Sequence, residues 1–256
     1  MDELELLVDL HLDGPRQGPG GAAATQLAID LADLRGRRNL AIADVGCGTG
    51  AATLVLAREL DVHLTATDFV PAFLARLERA AARAGLSDRI TPVAADMAAL
   101  PFADAALDAI FAEGAIYNLG FAAGIAAWRR YLKPGGILAV SELTWFSARR
   151  PAELERHWQR EYPEVDTAAA KLAVLEDLGF GPIGYFVLPR HCWLDNYYRP
   201  LQARFPAFLD RHGHAPAAAA LVAAEVAEIA LYERYGDYFG YGYYVARKLD
   251  EASVPP

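Results

Sequence analysis

The chain has 256 residues, 54% of them hydrophobic and 22% charged, and its 33 acidic against 24 basic side chains give a formal charge of −9. Such a length and composition describe one enlarged globular domain with a full core and exclude a disordered chain. The acidic balance, without any basic block, excludes a nucleic-acid backbone as main partner and favours neutral or cationic small molecules.

Cys47 and Cys192 are the only cysteines, with neither disulfide-framework nor metal-ligand spacing, which fits a reducing compartment. The acidic start Met1-Asp2-Glu3-Leu4-Glu5 differs from the basic start of a signal peptide, and no apolar run approaches the roughly 20 residues that span a bilayer. A cytoplasmic protein without membrane contact is expected.

In chain order, Glu3–Leu10 carries a helical stripe of Leu4, Leu7, Val8 and Leu10. His11–Gly21 is crowded with Gly and Pro and reads as a mobile loop, and deletion of Met1–Gly18 is expected to leave the fold intact. Ala22–Leu34 returns to a helical pattern with Leu27, Leu31 and Leu34 on one face. From Leu40 apolar runs alternate with helical stretches: strand Leu40–Val45, helix Thr49–Leu60, strand Val62–Thr67, helix Pro71–Ala84, strands Ile90–Ala94 and Leu107–Ala112, helix Ala122–Tyr131 and strand Ile137–Ser141. A helical stretch to Tyr162, helix Thr167–Leu178 and strand Gly181–Leu188 follow. Pro189–Asp237 is an insertion with helical blocks Leu194–Arg211 and Ala217–Tyr235, the second with a buried face of Leu221, Val222, Val226, Ile229 and Leu231, and Tyr238–Arg247 is a final strand.

This order predicts an α/β fold with a doubly wound, mostly parallel, Rossmann-like sheet of seven strands, the last antiparallel, plus a helical insertion. The whole chain is then one domain: an N-terminal helix and loop over 1–21, a core over 22–188, the insertion over 189–237 and the last strand over 238–247.

Strand Leu40–Val45 runs into Gly46, Gly48 and Gly50 and then directly into a helix, which gathers bare backbone N–H groups and the positive end of a helix dipole at one point. An anionic or highly polar ligand end belongs there, with Asp44 beside it for an amine. Asp44, Asp68, Asp96, Glu113 and Glu142 stand at or just after five successive strand ends, along the edge where such sheets bind ligands. Gly46–Ala51 also fits the dinucleotide pattern GxGxxA, so the glycines by themselves leave a nicotinamide cofactor open.

From about Leu40 to Leu143 the chain resembles the class I S-adenosylmethionine-dependent methyltransferases. Asp44-Val45-Gly46-Cys47-Gly48-Thr49-Gly50 matches that family's first motif, Asp68 its second, Ala95-Asp96-Met97 its third, and Leu132-Lys133-Pro134-Gly135-Gly136 the turn before its fifth strand. Ala95 replaces the glycine often found before the acid. Ala112–Gly120 is similar to small-molecule members, and the Asn/Asp-Pro-Pro-Tyr motif of enzymes that methylate nucleobase or glutamine amides is missing. The resemblance implies S-adenosylmethionine as cofactor and S-adenosylhomocysteine as product. It further implies that Asp44, Gly46, Gly48 and Glu113 surround the methionine part, Cys47 belongs to the same cofactor site, Asp68 holds the ribose, and Asp96 with the Met97 backbone N–H binds adenine. Phe69 would lie on the adenine face, or serve as a core aromatic.

Methyl transfer from a sulfonium requires alignment, exclusion of water and, for some acceptors, a base; it demands no metal. His191, Glu142 and Tyr117 are the candidate catalytic residues. The loop His11–Gly21 and the insertion would cover the acceptor; the alternative is that the insertion is a dimerisation arm in a homodimer and the loop a disordered tail. A non-catalytic S-adenosylmethionine-binding protein and a nicotinamide oxidoreductase are the alternative functions.

Overall fold

The computed structural model describes residues 2–250. Its strands are β1 (Leu40–Val45), β2 (Val62–Asp68), β3 (Ile90–Ala94), β4 (Leu107–Glu113), β5 (Leu132–Trp145), β6 (Asp166–Thr167), β7 (Phe180–Val187) and β8 (Phe239–Lys248). The helices are α1 (Glu3–Leu12), α2 (Ala22–Leu31), α3 (Ala51–Glu59), α4 (Pro71–Ala84), α5 (Phe121–Arg129), α6 (Ala152–Glu161), α7 (Ala168–Asp177), α8 (Arg190–Trp193), α9 (Arg199–Gln202), α10 (Phe205–Arg211) and α11 (Pro216–Tyr235).

The sheet runs β3-β2-β1-β4-β5-β8-β7, with β6 pairing β5 off this path. Strands β1 to β5 pair in parallel, and β8 is antiparallel to both β5 and β7. The chain reverses its winding between β1 and β4, so the C-terminal ends of these two strands open the crevice where doubly wound sheets take ligands. The strands β1 and β4 are almost wholly buried because both faces are covered, one by α2, α3, α4 and the insertion, the other by α5 and α7.

The structure has eight strands among the described residues where seven are expected. β6 is two residues long and pairs only Thr144 and Trp145, too short to carry an alternating pattern. β5 also starts five residues early, at Leu132, across a register shift opposite Leu107–Ala109.

The N-terminal segment departs most from its sequence pattern. α1, opened by a reciprocal Asp2–Glu5 capping box, buries Leu6, Leu10 and His11 against α4, α10 and α11, and leaves Leu4 and Leu7 exposed. It is part of the core, so the segment up to Gly18 is not a removable tail. α2 likewise packs through Ala24, Thr25, Ala28 and Ile29, with Leu27 exposed. Small residues on that face let α2 approach α3 and β8 closely.

The insertion begins at Arg190, behind Pro189, and its first helix widens into a π turn over Leu194–Tyr198. The wider turn aims Tyr197 and Tyr198 inward side by side, and both are buried. Trp193 stacks on Tyr232 of α11 at 4.4 Å and Tyr232 meets Phe239 of β8 at 5.7 Å, so aromatic contacts fasten the insertion to the sheet. On α11 the buried face is Ala218, Ile229, Tyr232 and Tyr235; Val226 is exposed.

Candidate active site

The loop from β1 to α3 puts Gly46 at φ 69° and Gly48 at φ 54°, left-handed values that side chains rarely adopt. A Cβ on Gly46 would collide with Ala115, and one on Gly48 would lie 2.6 Å from the Gln17 side-chain oxygen. Both positions therefore need glycine on conformation, and Gly46 on space as well. α3 starts without a side-chain cap, which leaves its first N–H groups for a ligand or the loop.

Asp68 ends β2 and organises this turn. Its Oδ2 accepts from the Gly48 N–H and its Oδ1 from the Val70 N–H, both at 2.9 Å. Carboxylate oxygens have lone pairs to spare beyond these bonds, as a ribose diol requires. Asp44 is buried at the end of β1, where its Oδ2 accepts from the Thr53 hydroxyl at 2.5 Å. Burial pushes its carboxyl up to about 7, and the negative charge of Glu113 adds to this.

Glu113, at the end of β4, accepts from Arg16 at 2.5 Å, from the Thr25 hydroxyl at 2.5 Å and from the Tyr243 hydroxyl at 3.3 Å. Arg16, Gln17 and Gly18 form a strap that lies over the glycine loop. Gln17 Oε1 accepts from the Thr49 N–H and the Thr49 hydroxyl, and a cavity of about 70 Å³ lies between the strap and Asp44, Gly46, Cys47, Gly48, Glu113 and Gly114. Arg16 and Gln17 belong to the site and went unrecognised in the sequence, where Gly14-Pro15-Arg16-Gln17-Gly18-Pro19 looks like a mobile loop; only the lone basic and amide side chains among its glycines and prolines could have marked it.

On the adenine side, Asp96 is exposed after β3 and its Oδ1 accepts from the Ala98 N–H at 2.8 Å, while the Met97 carbonyl accepts from Trp128 Nε1. Phe69 is 60% exposed, which removes the core-aromatic alternative, and borders a cleft of about 410 Å³ with Leu4, Val8, Leu12, Val70 and Pro71. The Cys47 thiol is buried beside Asp44 and Asp68, and burial holds its pKa well up.

Of the three candidate catalytic side chains the structure brings two together. Glu142 is fully buried in β5; its Oε1 accepts from the Leu143 N–H at 2.6 Å and its Oε2 from the Tyr162 hydroxyl at 3.3 Å. Burial raises its carboxyl to about 7. Tyr117, on the short turn after β4, meets the Tyr162 ring edge-on at 6.1 Å, so Tyr162 links the pair. His191 stands apart: it is exposed on α8 and approaches Cys192 Sγ at 3.8 Å, away from the contacts that join Glu142 and Tyr117. A base must reach the acceptor's proton, and the contacts of His191 do not join it to that pair.

A doubly wound sheet whose switch-point loop has left-handed glycines, with a carboxylate fixed on the next strand, defines a nucleotide-cofactor-binding domain of the Rossmann-like class. Residues 42–136 match the family model described as methyltransferase domain. The chain is 33% identical over 126 residues to a malonyl-[acyl-carrier protein] O-methyltransferase from Dechloromonas aromatica (strain RCB), covering 48% of this chain and 45% of that protein. It is similar in structure to a SAM-dependent methyltransferase from Geobacter sulfurreducens in complex with S-adenosyl-L-homocysteine, at TM-score 0.82 and 20% identity over 94% of this chain and 97% of the other. It is also similar to the [4+2]-cyclase SpnF, at TM-score 0.74 and 25% identity over 96% and 92%. The chain spans about a quarter to a half of the length of such curated relatives. Residues 42–136 are thus similar to a methyltransferase domain, and the fold is that of the S-adenosylhomocysteine-binding structure.

Proposed function

We propose that the chain binds S-adenosylmethionine at the β1–α3 loop and catalyses in-line methyl transfer to a small-molecule acceptor. The observation that carries this reading is the Asp68 carboxylate, held by the Gly48 and Val70 N–H groups beside two left-handed glycines. When bound, the cofactor supplies a methyl group already activated on a sulfonium.

Everything else falls to the chain's own side chains. Asp44 and Glu113 hold the methionyl ammonium and Arg16 its carboxylate; Asp68 holds the ribose, and Asp96 with the Met97 N–H holds adenine against Phe69. Glu142 is poised to accept the acceptor's proton, since a carboxyl raised to about 7 exchanges protons near neutrality. The strap Arg16–Gly18 and the insertion exclude water and press the acceptor into line.

The likeness to a [4+2]-cyclase supports one second reading, a catalyst of the same fold in which no methyl group moves, because a fold does not determine the reaction it hosts. Incubation of the full chain with S-adenosylmethionine and a pooled metabolite extract tests both. Release of S-adenosylhomocysteine above that of an Asp68→Ala control supports methyl transfer. Turnover of the pool without such release supports the second reading.

A further inference from the structure

Beyond the Gly114 end of the cofactor cavity, aromatic rings and carboxylates from four parts of the chain converge. Tyr241 of β8 lies against Gly114, where a Cβ would sit 2.9 Å from its ring and 3.4 Å from its hydroxyl. From Tyr241 the rings continue through Trp193 at 4.8 Å, Tyr198 at 5.9 Å, Tyr197 at 5.1 Å and His11 of α1 at 6.1 Å. α11 adds two carboxylates to this wall: Glu228 accepts from the Tyr198 hydroxyl at 2.9 Å, and Glu225 lies 3.4 Å from His11 Nε2.

Tyr117 and Glu228 keep accessible surface, yet burial raises both of their pKa values. With Tyr197 and Tyr241 only 8% and 7% exposed behind them, these two side chains stand at the solvent-facing mouth of the cluster. Trp193 Nε1 and His11 Nδ1 are buried polar atoms without a hydrogen-bond partner, in side chains 4% and 5% exposed, and Glu225 Oε2 is a third such atom. Buried polar atoms are normally paired, so a wall with three orphans points to a polar ligand.

The charged groups that act on the Tyr117 and Tyr241 phenols are carboxylates. Glu142, Glu225 and Glu228 all act on the Tyr117 phenol, and Glu142 and Glu228 act on Tyr241. Two cations are held at its edge by backbone carbonyls, Arg204 by Leu10 and Pro200 and Lys171 by Glu164; Arg204 acts on Tyr197 and Lys171 on Glu142. Aromatic faces with carboxylates behind them attract a cation and repel an anion.

We propose that this recess is the acceptor site and that it takes a molecule bearing an ammonium group, which Glu225 and Glu228 hold against the rings of Tyr117, Tyr197 and Tyr241. The proposal rests on the methyl-transfer reading and names its substrate class.

Calorimetry on the full chain tests it with ethylammonium and phenethylammonium, each beside its alcohol and carboxylate counterparts, with and without S-adenosylhomocysteine. An ammonium probe should bind at least about tenfold more tightly than its alcohol, and the carboxylates should not bind. Glu228→Gln should weaken ammonium binding about tenfold, the scale of one charge-assisted hydrogen bond, and leave S-adenosylhomocysteine affinity unchanged. The proposal is overturned if neither ammonium probe binds, if alcohol or carboxylate binds as well, or if Glu228→Gln changes nothing. A chain that binds ammonium but not S-adenosylhomocysteine keeps the acidic recess and loses the cofactor reading.

Discussion

Gln17 Oε1 accepts two hydrogen bonds from Thr49, one from its backbone N–H and one from its hydroxyl, each at 2.8 Å. A side chain from the N-terminal segment thereby closes the glycine loop 32 residues further on. The strap thereby lies across the mouth of the cavity beside Asp44, Gly46 and Gly48, where a ligand would enter and leave with this latch released.

Gln17→Ala should therefore speed dissociation of S-adenosylhomocysteine. Two hydrogen bonds at about 1 kcal/mol each correspond to an increase of roughly 5- to 30-fold, measured by stopped-flow displacement. An unchanged rate would show that the strap does not gate the site.

Arg16 and Glu113 form an ion pair with side chains only 12% and 5% exposed. Breaking a pair this enclosed leaves an uncompensated charge and costs about 3–5 kcal/mol. Arg16→Ala should lower the unfolding midpoint accordingly, and the double variant with Glu113→Gln should recover a large part of the loss. If the single variant unfolds with the wild type, the pair contributes nothing to stability.

Glu142 gives stability a definite pH dependence. Its carboxyl is raised from 4.5 to about 7 by burial, so between these values the folded chain keeps a proton that the unfolded chain has lost. Stability from this group is greatest below pH 4.5, falls as pH rises through that window, and levels off above 7; the full loss is about 3 kcal/mol. Glu142→Gln should gain on the wild type from about pH 5 to about pH 8 in chemical denaturation. A stability difference between the two that does not change across that range would contradict the assignment.

Much of this architecture is legible in the sequence. β1, α4 and β3 have the bounds that their patterns predict, because each is a buried run or an amphipathic stripe between clear turn signals, such as Pro71 at the start of α4 and left-handed Gly85 at its end. The glycine motif with Asp68 also marks its place directly. What the sequence hides is non-local. Arg16 reaches Glu113 across 97 residues, and Tyr162 reaches Glu142 from a loop with no motif of its own. α1 misleads because Leu4 and Leu7 imitate a core stripe, whereas tertiary packing buries Leu6, Leu10 and His11.

Truncation of residues 1–18 follows from that packing. Leu6 and Leu10 are 5% and 1% exposed, and losing a buried leucine costs about 1.5–3 kcal/mol each. The truncated chain should unfold at markedly lower denaturant than the full chain. A truncated protein with the full chain's midpoint would show that α1 is not part of the core.

The central claim is that the β1–α3 loop with Asp68 binds the methyl donor, and titration calorimetry of S-adenosylhomocysteine into the wild type and Asp68→Ala tests it most directly. The account predicts one-to-one binding, weakened by about 1.5–3 kcal/mol, or roughly ten- to a hundredfold, in the variant, because charge-assisted bonds to the ribose are lost while the fold remains. No binding to the wild type, or equal affinity in a folded Asp68→Ala chain, would contradict it.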